Sequence, residues 1–202
     1  MTPTTAQLVY DIGENRYINI GKTCTLRCTF CPKQHGSWQV HEYNLKLARM
    51  PTAIQLIDAL GDIRNVKQIV FCGFSEPTLR LKVLLEVARW VKAQGGYVRV
   101  NTDGLGNLAH QHNILPELAS CVDELSISLN AQNEALYNRH CEPKLPGSYR
   151  SLLEFIQLAP QYIPHVTVSA INGLEGVDLE ECRKIALSAG VQFRQRELDI
   201  VG

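Results

Sequence analysis

The 202-residue sequence predicts an α/β protein, a partial (β/α)6 barrel of parallel strands with helices outside and a polar concave face. Six strand-like stretches recur, each but the last followed by a helical one, which implies parallel pairing through right-handed crossovers. Six units fall short of the eight that close a full barrel. An open doubly wound sheet and a partial barrel remain, and the strand patterns choose between them. Parallel strands covered on both faces read as unbroken apolar runs. Here Ser126, Ser128 and Asn130 alternate with Leu125, Ile127 and Leu129, and His165, Thr167 and Ser169 with Val166, Val168 and Ala170. One face packs under helices and the other is polar, as in a curved sheet around a ligand.

The elements follow in order. "YINIGKT" (17–23) is the first strand, and after a cysteine-bearing loop a helix runs from about Pro51 to Leu60. "KQIVFCG" (67–73) is the second, and its helix, about Leu79 to Ala93, carries Leu84, Val87, Ala88 and Val91 at i, i+3, i+4, i+7 and stops at Gly95-Gly96. "YVRVNTDG" (97–104) leads to a weaker helix around 113–120. "ELSISLN" (124–130) precedes helical pieces near 132–139 and 149–159. "HVTVSAI" (165–171) leads to a helix over 179–189, with Asp178 and Glu181 as a capping box and Gly190 as the stop. "VQFRQREL" (191–198) is the last strand, with Arg194 and Arg196 on its inner face. No linker divides the chain, so residues 1–202 read as one domain.

The composition narrows the function. The chain is 45% hydrophobic, with 20 basic against 20 acidic residues. A net charge of zero leaves no strong signal for nucleic acid. No apolar run approaches the roughly 20 residues of a membrane span, and the N-terminus lacks the basic start and apolar stretch of a secretion signal. These features point to the cytoplasm and to no membrane partner. Thiols stay reduced there, so a cluster among the seven cysteines indicates metal before disulfide.

That cluster is "CTLRCTFC": Cys24, Cys28 and Cys31, spaced C-x3-C-x2-C with Phe30 before the last. Three thiolates can hold three irons of a [4Fe–4S] cluster and leave the fourth open to another ligand. The alternative is structural zinc with four closed ligands, for which His35 has an allowed spacing. Of the other cysteines, Cys121 and Cys182 read as small core residues, and Cys141, in a loop, as a candidate for redox or second-cluster chemistry. His110 and His112 read as solvated.

The triplet, on the loop after the first strand, resembles the signature of the radical S-adenosylmethionine (radical SAM) superfamily. "GFSEPT" (73–78), "NTDG" (101–104) and "SLNA" (128–131) resemble that superfamily's GGEP, TTNG-like and SLDA motifs, in the same order and at strand ends. "GFSEPTLR" and "RHCEPK" are similar to stretches of its compact TatD-associated members. The resemblance implies a partial (β/α)6 barrel and an enzyme with two cofactors. Cys24, Cys28 and Cys31 would bind a [4Fe–4S] cluster, whose electron cleaves SAM to a 5′-deoxyadenosyl radical that abstracts hydrogen from a substrate. Gly73, Ser75 and Glu76 would hold the methionine ammonium, Thr102, Ser128 and Asn130 the carboxylate or ribose, and Ile171 and Phe30 the adenine. Arg194 and Arg196 would meet the SAM carboxylate or an anionic substrate. A flavodoxin- or ferredoxin-like one-electron donor is implied; the substrate, small molecule or macromolecule, is not specified. Ser75 stands where the family has glycine, so a positive φ there would be strained. Asn130 replaces an Asp, giving up a charge. The competing reading is a non-catalytic zinc or iron–sulfur interaction module, which would need none of the three later motifs.

Overall fold

The computed structural model describes residues 6–198. Strand β1 (Val9–Ile12) turns through Gly13 and Glu14 into β2 (Asn15–Asn19), with which it pairs antiparallel. The cysteine loop follows, carrying a 3-10 turn at Pro32–His35. A small hairpin of β3 (Gln39–Val40) and β4 (Tyr43–Asn44) comes next. The repeating units then run α1 (Ala53–Leu60), β5 (Gln68–Cys72), a 3-10 turn at Pro77–Arg80 and α2 (Leu81–Ala93). After them come β6 (Val98–Thr102), α3 (Gly106–His110), α4 (Leu115–Ala119) and β7 (Glu124–Ser128). The chain continues through α5 (Glu134–Cys141), α6 (Ser148–Leu158), β8 (His165–Asn172), α7 (Leu179–Ser188) and β9 (Gln192–Glu197).

The sheet order is β1-β2-β5-β6-β7-β8-β9, and every pair after the first is parallel. The six parallel strands thus lie side by side in chain order. A doubly wound sheet would reverse direction partway; steady progression puts every right-handed crossover on one face. That is the arrangement of a partial barrel. Ile18, Phe71, Val100, Leu125, Ile127 and Val168 form the convex face and share one buried core with Leu84, Val87, Leu152 and Phe155 of the helices.

The concave face is polar only over part of its width. Towards β7, β8 and β9 it presents Ser126, Ser128, Ser169, Arg194 and Arg196, as the alternation predicts. Towards β1, β2 and β5 it is apolar: Tyr10, Tyr17 and Val70 pack with Val40 and Leu45 in a second cluster. Tyr10 and Tyr17 stack with centroids 5.4 Å apart. The hairpin β3–β4 supplies this lid, and both it and β1 were too short to declare a period in the sequence. Two helix signals also differ. Asp178 caps α7 by accepting from the Glu180 and Glu181 amides, while the Glu181 carboxylate takes Lys184 instead of closing the box. The full capping box sits at α1, between Thr52 and Gln55.

Gly104 follows β6 with φ +77°, and a Cβ there would lie 2.5 Å from Leu152 Cδ1 and 3.1 Å from Ile127 Cγ2. Gly13 has a similar φ of +59° but open space around it. The left-handed conformation costs a side chain about 1–2 kcal/mol, and overpacking adds about 1–3. Gly104→Ala is therefore expected to lower the unfolding free energy by about 2–4 kcal/mol in urea denaturation, against about 1 for Gly13→Ala.

Candidate active site

The carboxyl ends of the parallel strands surround a cavity of about 300 Å³. Cys24, Cys28 and Cys31 line it together with Phe30, Gly73, Ser75, Glu76, Thr102, Ser128, Asn130, Ile171, Arg194 and Arg196. Every residue singled out in the sequence for cluster or SAM binding is therefore on one cavity wall.

The cysteine loop has little regular structure, so its backbone groups must find partners elsewhere. On one side the Glu76 amide donates to Thr23 O at 2.9 Å, and Lys33 Nζ donates to Phe74 O at 2.8 Å. On the other side the Arg27 amide donates to Cys141 O (3.0 Å), the Thr29 amide to His140 O (2.8 Å) and the Lys144 amide to Thr25 O (2.9 Å). Lys144 Nζ reaches Cys24 O at 2.8 Å, and Arg27 pairs with Glu142 at 2.7 Å. The loop is hung between the "GFSEPT" turn and the end of α5.

Glu76 is not the free carboxylate that the sequence reading required. It is almost fully buried, and Oε1 accepts from the Thr78 amide (2.9 Å), the Thr78 hydroxyl (2.6 Å) and the Thr102 hydroxyl (2.8 Å). Oε2 accepts from the Asp103 amide at 2.7 Å. A carboxylate has about four lone-pair directions, and these donors use them. Thr102 is also engaged, since its oxygen accepts from the Gly104 amide at 3.1 Å. Both residues are struts rather than open ligands. Asp103 extends the strut: it accepts from the Thr25 hydroxyl and, at 3.9 Å, from Cys24 Sγ.

Ser75 escapes the expected strain, for the positive φ falls on Gly73 (+104°), where a Cβ would meet Asn19 Oδ1 at 2.9 Å. Asn130 carries the left-handed conformation at its own position, φ +61°, which an Asn side chain tolerates. Its Oδ1 accepts from Arg196 Nη2 at 2.9 Å. Arg196 Nε also donates to Ser169 Oγ at 3.1 Å, and Arg194 Nη2 to Ser126 Oγ at 3.2 Å.

The donor set distinguishes among metals. Among the described residues no three His, Cys, Asp or Glu side chains gather closely enough for one ion. His35, the potential fourth zinc ligand, is exposed, with Nε2 2.6 Å from Thr29 O. Three thiols around one cavity fit an iron–sulfur cluster, which spreads its thiolate ligands over separate irons. Burial raises the pKa of Cys24 and Cys31, with Asp103 adding to the rise at Cys24. Contact with Cys141 is the chief cause at Cys28, and burial adds to it. The positive charge of a metal group held there would reverse that preference and make each a thiolate.

Two further thiols lie near the site. Cys72 lines the cavity and accepts from Asn101 Nδ2 at 3.3 Å. Cys141 is no loop residue: it ends α5, fully buried, against Cys28. Only packing brings these close, so no local spacing could announce them. His110 is held by Thr78 O at 2.8 Å and His112 by Glu117 at 3.1 Å.

Comparison with known proteins agrees with this geometry. Residues 18–189 match the family model of the Radical SAM superfamily. A tungsten-containing aldehyde ferredoxin oxidoreductase cofactor-modifying protein from Pyrococcus furiosus is 30% identical over 181 residues, covering 87% of this chain and 48% of that protein. The chain thus spans about half the length of this curated relative. Streptococcus suis SuiB bound to S-adenosylmethionine superposes with a TM-score of 0.66 at 12% identity, over 92% of this chain and 40% of SuiB. TYW1 with a lysine-pyruvate adduct bound gives 0.64 at 16% identity, over 93% of this chain and 66% of that one. Methylornithine synthase (PylB) gives 0.55 at 15% identity, over 90% and 52%. These structures share the fold.

The Glu76 strut has a pH signature. Burial, and then the nearby Asp103, raise the Glu76 carboxyl to about 8. A carboxyl whose folded pKa exceeds its unfolded value near 4.3 holds its proton longer when folded. Its contribution is present at low pH and is lost as pH rises from about 4 to about 8. Glu76→Gln removes that slope but turns an N–H towards donors. The variant is expected to be less stable than wild type by about 1–3 kcal/mol at pH 5, with a smaller gap at pH 8, in paired urea titrations.

Proposed function

Since the chain belongs to the radical SAM superfamily, we propose that it is an enzyme whose cysteine loop carries a [4Fe–4S] cluster and whose strand ends carry SAM. The observation that carries this reading is the convergence of three thiols and the candidate SAM-contacting residues on one cavity wall. When bound, the cluster supplies the electron that splits the SAM sulfonium to give a hydrogen-abstracting 5′-deoxyadenosyl radical.

The chain's own residues bind and orient. An ammonium only donates hydrogen bonds, so the backbone carbonyls of Gly73 and Ser75 are its natural acceptors, with Phe74 O already held by Lys33. Glu76 and Thr102 serve by holding this turn in place. Arg196, braced by Ser169 and Asn130, is aimed at the SAM carboxylate, and Ser128 stands beside it on the cavity wall. Ile171 and Phe30 offer apolar surface to the adenine. An external one-electron donor of flavodoxin or ferredoxin type completes the system, in the cytoplasm. No helix among the described residues is long and apolar enough to cross a membrane. The relative from Pyrococcus furiosus carries a name for cofactor modification; from it we take the reaction type and not the substrate. An interaction module built on zinc finds no support in the placement of His35.

Anaerobic reconstitution with iron and sulfide tests the proposal. Wild type is expected to take up four irons per chain, as [4Fe–4S] stoichiometry requires, with visible absorbance that SAM perturbs. Cys24→Ala, Cys28→Ala and Cys31→Ala should each lose it, and His35→Ala should keep it. Stoichiometric zinc lost on His35→Ala would overturn the cluster. Arg196→Lys replaces a braced fork by a point charge and is expected to weaken SAM binding about ten-fold in calorimetry, with the iron content unchanged.

A further inference from the structure

The wall formed by β9 carries more positive charge than SAM requires. Arg194 and Arg196 both face the lumen, two residues apart, in register with Ser169 and Ile171 of β8. Their bonds to the protein go to neutral groups: Ser126 Oγ for Arg194, Ser169 Oγ and Asn130 Oδ1 for Arg196. The acids that line the cavity are engaged elsewhere. Glu76 takes Thr78, Thr102 and the Asp103 amide, and Asp103 takes Thr25 and Cys24. Glu197, at the rim, accepts from Gln195 (2.7 Å) and Asn172 (2.9 Å). Two neighbouring guanidiniums without a carboxylate between them repel each other and favour an anion. The SAM carboxylate provides one such anion for the upper arginine, beside Asn130.

Arg194 lies deeper. Its partner Ser126 is in register with Asn101 of β6, and Arg99 stands two residues below Asn101 on the same face. Asn101 lines the cavity, and its Oδ1 is buried and without a hydrogen-bond partner. Such atoms are uncommon in a folded protein and call for an occupant. Asn101 Oδ1 thus offers an unused acceptor in register with Ser126, the partner of Arg194.

Building on the radical SAM reading, we propose that Arg194 binds an anionic group of the substrate, a carboxylate or a phosphate, and that Arg196 is left to SAM. The guanidinium fork matches either oxyanion through two parallel hydrogen bonds. Ser126 holds the fork towards the lumen, and Asn101 Oδ1 accepts from a hydroxyl or amine on the same ligand.

Calorimetry on the reconstituted protein saturated with SAM tests this, using succinate and inorganic phosphate as probes and succinamide as the neutral control. One of the two anions is expected to bind, identifying carboxylate or phosphate as the group recognised, while succinamide does not. Arg194→Lys keeps the charge but loses the fork, and should weaken that binding ten-fold or more while SAM affinity moves less than two-fold. Ser126→Ala should weaken it a few-fold. The inference is overturned if SAM-loaded wild type binds neither anion, if Arg194→Lys binds the anion as tightly as wild type, or if that variant loses SAM affinity in proportion. A wild type that takes up neither SAM nor anion brings down the functional reading itself, a result distinct from SAM binding without anion binding.

Discussion

A buried carboxylate sets the geometry of this molecule. Glu76 sits where a helix start, a strand end and a loop meet, and water cannot satisfy it there. An unpaired buried carboxylate would cost several kcal/mol, so the fold must bring donors to it. The donors come from Thr78 in its own turn and from Thr102 and Asp103 across the sheet. Asp103 passes the constraint on to Thr25 and Cys24. Three consecutive strand ends, β2, β5 and β6, are thereby aligned by one chain of polar contacts, and the Cys24 thiol lies at its far end.

The barrel makes that alignment useful. Because the six parallel strands follow in chain order, the helices crowd the convex side and the concave side is left to side chains alone. Those side chains divide the work. The tyrosines of β1 and β2 pack with the hairpin residues Val40 and Leu45 and give one half of the lumen an apolar lining. The serines and arginines of β7 to β9 leave the opposite half wet and charged.

Much of this was legible in the sequence because it is periodic or tightly spaced. The alternation in "ELSISLN" and "HVTVSAI" gave away both faces of the sheet, and the spacing of "CTLRCTFC" picked out three thiols that line one cavity. The superfamily is carried by the match over residues 18–189; the narrower TatD-associated likeness rests on its two short stretches alone. What the sequence hid is long-range. Glu76 and Thr102 look like ligands in their motifs, and only the fold shows that they bind each other, 26 residues apart. Cys141 read as a loop thiol because helix α5 ends without a glycine; Glu142 adopts the left-handed cap instead, at φ +42°. Strand β1 is four residues long, too short for a period, and it forms because Gly13 turns it onto β2.

The suspension of the cysteine loop bears on how the protein matures. Ordering a loop residue costs roughly 1–2 kcal/mol of entropy, and metal sites that assemble from disordered chain must supply it from binding energy. Here the backbone between Thr23 and Lys33 is already tied on both flanks, to Glu76 and Phe74 on one side and to His140, Cys141 and Lys144 on the other. A cofactor bound there would meet a loop already tied to its neighbours and would not have to order it.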